Sequence, residues 1–313
     1  MFKIIGKTNV DFVRMRKISF VLSIILVVLG LIAFVNILFG TAKMGIDFTG
    51  GTIIQGNFEN PINVSVLRAA LADGGFSGAT IQSLSTEGVP NSYLIRIQQA
   101  TAGDEVAQGS TVDRLMAAIA GSPQFANNPF HKDSEQMIGS RVGKDLRRDA
   151  RNAVLLAMAG ILLYIWIRFD FRFGVAATVA TFHDILAVLG IFWLFRLEIN
   201  LLIITALLTL GGYSLTDTVV VFDRIRENLK LFRKKGDFVA TINASINEVL
   251  SRTIMTSLTT ILAVIPMLIF GGQVLFNFAL ALTMGIIIGT YSSVFVASPI
   301  IVEWEARRPK RFK

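Results

Sequence analysis

One acidic side chain stands inside an apolar stretch long enough to form a membrane helix. Asp217 lies in residues 201–222, which read LLIITALLTLGGYSLTDTVVVF. A carboxyl group in the middle of a bilayer costs several kcal/mol, so chains keep one mainly where it is paired or functional. Asp217 is therefore either a group that binds and releases a proton or a structural group bonded to a neighbouring helix. The first interpretation is favoured because embedded acids are mostly functional.

A cation near this acid would change how readily it takes up a proton, and Arg252 is the candidate. It begins a later apolar stretch, and Thr256, Thr259 and Thr260 follow it at the spacing of one helix face. Such a face can hold water or hydrogen-bond to Asp217. The same spacing fits an arginine that extends to the aqueous boundary of the membrane, and both interpretations stay open.

Four charged residues follow the apolar stretch that contains Asp217, namely Asp223, Arg224, Arg226 and Glu227. Arg224 falls near the same helix face as Asp217, and Asp223 can pair with Arg226 at i,i+3. These residues support proton movement in one interpretation. A solvated helix end is the favoured interpretation for most of them.

A second polar pair, His183 and Asp184, also lies inside an apolar stretch. A histidine changes its charge near neutral pH, so the pair could share protons. The alternative, a hydrogen-bonded pair that packs two helices, is slightly favoured. With no cysteine and only two distant histidines, His131 and His183, the sequence predicts no disulfide, metal site or cofactor.

The composition places all of these residues in a polytopic membrane protein. Hydrophobic residues make up 53% of 313 and the mean hydropathy is +0.61, which is too apolar for a soluble domain. A membrane helix takes about 20 residues. Six such spans are predicted: 18–39, 152–167, 173–195, 199–222, and two within 253–304, divided at Pro266 and at the turn 271–273. In the last span Gly285 and Gly289 form a G-x-x-x-G pattern, which indicates a close helix contact.

The net charge of +8 is concentrated in short segments beside the spans, at residues 3–17, 168–172, 224–235 and 307–313. With six spans, all four segments fall on one side, so the positive-inside rule predicts cytoplasmic termini and an extracytoplasmic region 41–150. This distribution indicates contact with anionic lipids and no nucleic-acid partner.

The predicted organisation is therefore a first segment 1–40, the region 41–150, a five-helix region 151–303 and a basic tail 304–313. Within the five-helix region, residues 223–251 form a cytoplasmic amphipathic segment. The apolar spacing over 229–250 predicts a helix on the membrane surface, broken near Gly236.

The region 41–150 has the pattern of a small α+β domain. Strand-like alternation and helical spacing follow one another in the order β-α-β-β-α-β, which is typical of a ferredoxin-like unit. The predicted elements are strand 51–58, helix 63–72, strands 79–84 and 93–98, helix 112–120 and strand 131–138.

Several segments together resemble the SecF family of the bacterial protein-export machinery. The stretch from Gly212 to Asn228, which contains DTVVVFDRIREN, is highly specific. The other matching segments are Val10–Phe12, GIDFTGG at 45–51, VGKDLRR at 142–148, His183-Asp184 and Ser251-Arg252-Thr253.

The resemblance implies a six-helix half of an RND-type transporter fold, completed by a homologous SecD half in the bacterial inner membrane. It implies proton-driven help in translocating unfolded preproteins, downstream of the SecYEG channel and the SecA motor, with YajC and YidC as further partners. The carboxylate matching Asp217 and the arginine matching Arg252 belong to the proton pathway in that family. Two positions depart from the family pattern: Thr216 replaces the usual asparagine, and Gly139-Ser140 replaces Gly-Pro.

The sequence contains no nucleotide-hydrolysis or protease motif, so we expect no enzyme activity. The leading hypothesis is a proton-coupled translocase subunit that works as a heteromer, because six helices with no internal second copy form half of a pseudosymmetric transporter. The second is an RND-like proton-coupled exporter of a small lipid or drug. The third is an assembly factor in which Asp217 only packs the helix bundle.

Overall fold

The computed structural model describes residues 8–86, 89–98, 108–231 and 237–308. Two compact units divide the chain: Met1–Lys43 with Ala153–Lys313, here called the helical unit, and Met44–Asn152, called the sheet unit. The elements are, in chain order, α1 Arg16–Leu38, α2 Ile46–Thr49, β1 Gly51–Phe58, α3 Val64–Asp73, β2 Thr80–Thr86, β3 Val89–Gln98, α4 Gln108–Ala120, β4 Phe130–Ile138, α5 Ser140–Arg168, α6 Phe171–Leu194, α7 Leu201–Leu231, α8 Phe238–Phe270, α9 Gly272–Ser292 and α10 Ser298–Arg307.

Six helical segments in the described residues are long and apolar enough to cross a membrane, as predicted: α1, α5, α6, α7, α8 and the run from α9 into α10. The break inside the long apolar stretch falls at Gly271 and Gly272, and Gly272 adopts φ +59°, which favours glycine. The predicted division at Pro266 is wrong, because α8 continues through this residue to Phe270. Apolar helices tolerate proline where local adjustment satisfies the freed backbone groups.

Glycines allow two pairs of helices in the helical unit to approach closely. A Cβ atom built on Gly30 of α1 would lie 2.2 Å from the carbonyl oxygen of Leu186 in α6. A Cβ on Gly285 of α9 would lie 2.6 Å from the side chain of Leu210 in α7, and one on Gly289 would lie 3.1 Å from Ser214. The predicted G-x-x-x-G contact is therefore confirmed, and it brings α9 against α7.

A short π-helical turn, Ser293–Ala297, connects α9 to α10. Such turns are rare and widen the helix locally, which changes the faces that the flanking residues present. The Ser298 hydroxyl donates to the carbonyl oxygen of Ser293 at 2.9 Å. The turn is therefore stabilised by a side chain of the helix that follows it.

The segment 229–250 does not form one separate surface helix. The structure instead extends α7 to Leu231 and begins α8 at Phe238, and residues 232–236, with the predicted break at Gly236, lie outside the described residues. The buried Asn228 side chain donates to Ser245 Oγ at 3.0 Å and to Glu248 Oε2 at 2.9 Å. The apolar faces of the two helix ends are buried in the core of the helical unit, so packing between helices replaces packing against lipid.

The sheet unit has the element order predicted from the sequence, β-α-β-β-α-β. Its four strands pair antiparallel in the order β2-β3-β1-β4. The alternate apolar residues of the strands share one core with α3 and α4, with Ile54, Leu67, Ile95 and Leu115 fully buried. A shift of register lies between Gln55 and Gly56, where a Cβ on Gly56 would lie 2.3 Å from the carbonyl oxygen of His131.

Candidate functional site

Asp217 lies on α7 facing the other helices, with 7% of its surface exposed. Its carboxyl group has the Ser257 hydroxyl of α8 as a hydrogen-bonding neighbour. The second carboxylate oxygen, Oδ2, is buried and has no hydrogen-bond partner among the described residues. A buried carboxylate oxygen without a donor is costly while the group is charged and is relieved when a proton binds.

The hydroxyl beside Asp217 is therefore not on the predicted polar face. Thr256 donates to the carbonyl oxygen of Thr253 at 2.9 Å, and Thr259 bonds to Met255, so both hydroxyls stay on their own helix. Thr260 accepts a hydrogen bond from Tyr213 of α7 at 3.3 Å. Ser257 is the next residue after Thr256, and successive residues of a helix point 100° apart. Residue spacing alone therefore placed Thr256, and not Ser257, on the face toward Asp217.

Arg252, for which both a pairing with Asp217 and a boundary position stayed open, is exposed on α8. It influences the Asp217 carboxyl group through its charge, with no direct hydrogen bond between the two side chains. Opposite charges attract at a distance that a moving helix can change, and the attraction is strong where water is excluded. Among the described residues the two side chains form no ion pair or hydrogen bond, so Arg252 acts on Asp217 through its charge alone.

Thr216, the position that departs from the family pattern, is exposed on α7. Its hydroxyl donates to the carbonyl oxygen of Gly212 at 3.0 Å on the same helix. Thr216 therefore does not reach Asp217 with its hydroxyl.

The charged residues after Asp217 join three helices at one end of the bundle. Asp223 pairs with Arg168 of α5, and Arg226 lies 3.9 Å from Asp170, so these two do not form the i,i+3 pair that their spacing allows. Arg224 pairs with Glu248 of α8 and with Glu227 at 2.6 Å. These contacts tie α7 to α5 and α8, which fits a structural role for the cluster.

The second buried acid, Asp184 on α6, is fully enclosed. Its Oδ1 atom lies 2.8 Å from Nδ1 of His183, and its Oδ2 atom accepts hydrogen bonds from Ser214 of α7 and from Ser292 of α9, the latter at 2.7 Å. The predicted pair is therefore well packed, and it joins three helices. Both residues of the pair are buried, since His183 is 2% exposed.

The last turn of α9 connects the two acids, which sequence reasoning missed. Thr290 lies 2.6 Å from Ser257 through their hydroxyl oxygens, and Ser292 bonds to Asp184. Between them, the Tyr291 hydroxyl donates to the carbonyl oxygen of Ser19 in α1 at 2.9 Å. Three consecutive hydroxyl residues point in three directions because each helix position turns by 100°.

This arrangement can exchange protons and transmit their electrostatic effect. In the described residues, no three His, Asp or Glu side chains come together as metal ligands. The described residues of the bundle include the embedded acids Asp184 and Asp217, His183, Arg252 and a set of hydroxyl groups. Such groups inside membrane spans are typical of ion and proton pathways.

Comparison with known proteins identifies the relatives of this chain. The family described as "Protein export membrane protein SecD/SecF, C-terminal" matches residues 122–307. The protein translocase subunit SecF of Thermodesulfovibrio yellowstonii is 47% identical over 303 residues, covering 96% of this chain and 97% of the relative. The SecF subunit of Rhodothermus marinus is 41% identical over 317 residues, covering 99% and 97%.

A crystal structure of SecDF from Thermus thermophilus, described as a translocon-associated membrane protein, matches with a TM-score of 0.80 at 36% identity. The match covers 98% of this chain but 40% of that longer chain. A SecDF structure in a super-membrane-facing form matches with a TM-score of 0.65 over the same shares. On these similarities, the chain belongs to the SecF family of protein translocase subunits.

Proposed function

We propose that this chain works with a SecD-type partner to use the proton-motive force for preprotein translocation across the bacterial inner membrane. The single observation that carries the proposal is Asp217, an enclosed carboxyl group with one oxygen that has no donor among the described residues. A proton that crosses about 100 mV supplies roughly 2.3 kcal/mol. This free energy is available only if a group inside the membrane binds the proton and releases it on the other side.

The proposed step is electrostatic. The charged form of Asp217 attracts Arg252 and accepts from Ser257, both on α8. Protonation removes the negative charge and leaves the cation without its partner, so the preferred position of α8 against α7 changes. Repeated loading and release of the proton therefore moves one helix against another.

The SecD-type partner is proposed because the matched SecDF chain is more than twice as long as the part that this chain covers. Arg252 and several apolar side chains of α5 and α8 are exposed in the isolated chain, including Leu156, Leu163, Leu262 and Ile269. A second helical half would cover part of these faces. The SecYEG channel, the SecA motor, YajC, YidC and anionic lipids remain expected partners on the strength of the resemblance.

The orientation follows from the charge distribution. We propose that the basic segments around α1 and after α10 are cytoplasmic and that the sheet unit is extracytoplasmic. Its strand order, β2-β3-β1-β4, with two helices on one core supports a ferredoxin-like assignment. In this position the sheet unit would meet the preprotein as it emerges.

The test replaces Asp217 by asparagine, which keeps the size and removes the exchangeable proton. In membrane vesicles with an imposed proton gradient, we expect Asp217→Asn to lose gradient-dependent export while it still co-purifies with its SecD-type partner. Asp149→Asn, at an exposed acid of α5, is the matched control and should export normally.

Two outcomes would contradict the proposal. Normal gradient-dependent export by Asp217→Asn would show that no proton passes through this residue. Loss of the complex would show that Asp217 packs the bundle. Proton-coupled uptake of small lipids or drugs by the unmodified protein, without an effect on export, would favour the exporter hypothesis.

A further inference from the structure

An apolar groove lies between α1 and α6 of the helical unit. Its volume is about 550 Å³, and sites that hold a small organic molecule usually measure about 300–1,000 Å³. Nine of its twelve lining residues are apolar, and they come from α1, α6 and the region where the π-helical turn joins α10. The walls are open to the surroundings of the bundle, since Ile24 is 61% exposed and Phe182 is 41% exposed. Such a groove favours hydrocarbon over water.

A close contact between the two helices closes the groove at one end. A Cβ atom built on Gly190 of α6 would lie 2.6 Å from the backbone nitrogen of Gly30 in α1, and Leu186 at the same crossing lines the groove. From Phe20 to Val28 the groove follows α1 for eight residues, or about 12 Å. One leaflet contributes about 15 Å to a hydrocarbon core about 30 Å thick. The groove therefore matches the depth of a single leaflet.

The lining changes character at the other end of the groove. A second groove of about 370 Å³ shares Phe20 and Ile300 with the first and is lined further by charged and aromatic residues of α10, including Trp304. The Trp304 ring packs edge-on against Phe171 with their centres 5.9 Å apart. Tryptophan is enriched at the boundary between hydrocarbon and headgroups. The open end of the groove therefore lies where the headgroup of a lipid would be.

The two acids of α10, Glu303 and Glu305, already have cationic partners at this end. Glu303 accepts a hydrogen bond from Arg307 at 2.9 Å, and Glu305 pairs with Arg172. Each of these pairs brings together one negative and one positive charge. The pairs therefore leave the local balance to be set by the cations that remain.

Two such cations are Lys17 and Arg308, both exposed. Arg308 lines the second groove, and Lys17 precedes Phe20 by three residues, so it falls near the face of α1 that lines both grooves. Neither side chain forms an ion pair within the part of the chain that the structure describes. The open end of the groove is therefore positively charged.

We propose that this groove binds one anionic phospholipid, with an acyl chain between α1 and α6 and the headgroup phosphate beside Lys17 and Arg308. The apolar walls match the chain, and both cations can donate hydrogen bonds to phosphate oxygens. A defined chain site and a defined headgroup site distinguish this binding from the general attraction between basic segments and an anionic membrane surface. The proposal does not depend on proton binding by Asp217.

A helix of the SecD-type partner is the competing occupant of the groove. The exposed faces attributed to that partner belong to α5 and α8, whereas the groove lies between α1 and α6. A partner helix would cross both leaflets, but the contact at Gly30 closes the groove after about 12 Å. Depth and charge together therefore favour a lipid.

The test uses the full chain in complex with its SecD-type partner, in phosphatidylcholine vesicles. Trace amounts of a photoactivatable phosphatidylglycerol or phosphatidylcholine are added, with identical chains and a diazirine midway along one of them. Crosslinked peptides are mapped by mass spectrometry. We expect phosphatidylglycerol to label the α1 and α6 peptides that line the groove about fivefold more than phosphatidylcholine, or better, since one cation beside an anionic headgroup contributes about this factor.

A variant within the groove tests the chain site. Val27 lines the groove, and Val27→Phe places a larger side chain in it, so labelling of these peptides by phosphatidylglycerol should fall several-fold. Leu22→Phe is the matched control, because Leu22 is 48% exposed on the opposite face of α1. It should label as the unmodified complex does.

A second variant tests the headgroup site. Lys17→Gln with Arg308→Gln removes both cations, so the two lipids should label the groove equally. The control removes two exposed cations of α5, through Lys144→Gln with Arg151→Gln, and should keep the preference for phosphatidylglycerol. If Val27→Phe does not co-purify with the partner, this second comparison decides, because it alters exposed side chains only.

Three results would overturn the proposal. Equal labelling by both lipids in the unmodified complex would show ordinary boundary lipid. Absence of labelling in the groove peptides would show that the partner covers them. Undiminished labelling in Val27→Phe would show that the chain lies elsewhere. None of these results depends on gradient-dependent export, so this proposal and the proposed function fail separately.

Discussion

Asp184 and Asp217 are buried acids of the same residue type at nearly the same burial, yet their surroundings differ. Asp184 has donors at both oxygens, and the free atom of its site is on His183. Asp217 has Ser257 beside it, and one of its oxygens has no donor in the part of the chain that the structure describes. Burial alone therefore does not determine where a proton binds. The number and position of the hydrogen-bond donors around each carboxyl group determine it.

The largest expected difference between the two acids is in stability. Asp184→Ala leaves two hydroxyls and an imidazole N–H without their acceptor, which should lower the free energy of unfolding by roughly 3–5 kcal/mol. Asp217→Ala should cost less than about 1 kcal/mol, because Ser257 keeps its contact with Thr290. Denaturant titration of the purified complexes in detergent would measure both. Equal losses would remove the distinction between the sites.

A glycine next to Asp184 and its hydrogen-bond donors should show a medium effect. Gly289→Ala places a methyl group 3.1 Å from the Cβ of Ser214, which would push α7 away from α9 and weaken the bonds to Asp184. We expect a loss of roughly 1–3 kcal/mol in the free energy of unfolding.

Gly212→Ala on α7 is the matched control, because a Cβ there meets no other atom within 4 Å. It should be neutral or stabilising by up to about 1 kcal/mol, since alanine favours the helix. The same denaturant titration would apply. A harmless Gly289→Ala would show that the α7–α9 contact does not hold the Asp184 site.

A small effect on stability is expected beside Asp217. Ser257→Ala removes one hydroxyl near Asp217 and should lower the free energy of unfolding by about 1 kcal/mol. Gradient-dependent export should nevertheless fall several-fold, because the hydrogen bond to the charged carboxyl group is lost. Thr256→Ala, whose hydroxyl bonds to its own helix, should export normally. Export by the two variants would be measured in vesicles at one fixed proton gradient. A larger loss of export in Thr256→Ala than in Ser257→Ala would show that the predicted polar face, and not Ser257, acts on Asp217.

Part of this arrangement could be predicted from the sequence. Long apolar runs predict six spans because a bilayer requires about 20 apolar residues per helix. The order of the elements in the sheet unit followed from the alternation of apolar residues with period 2 in strands and 3.6 in helices. Asp217, Arg252, His183 and Asp184 were identified because polar groups in apolar spans are costly.

The contacts between helices could not be predicted in the same way. Periodicity places Thr256 and Thr260 on one face of α8, but only the packing shows that Ser257 is the residue turned to Asp217. The charged residues after Asp217 bond to Arg168 and Glu248, which are distant in sequence. The predicted surface helix was replaced by two helix ends that pack on each other through Asn228.

The sequence by itself determined which stretches enter the membrane and which of them carry an ionisable group, because both depend on the transfer of local segments from water to lipid. Only the tertiary structure decided how each acid is satisfied. Ser292 reaches Asp184 across 108 residues, and Ser257 reaches Asp217 from another helix. Such contacts depend on how packed helices are rotated and how far apart they lie. A helix rotated by one residue position would turn a different side chain toward the acid.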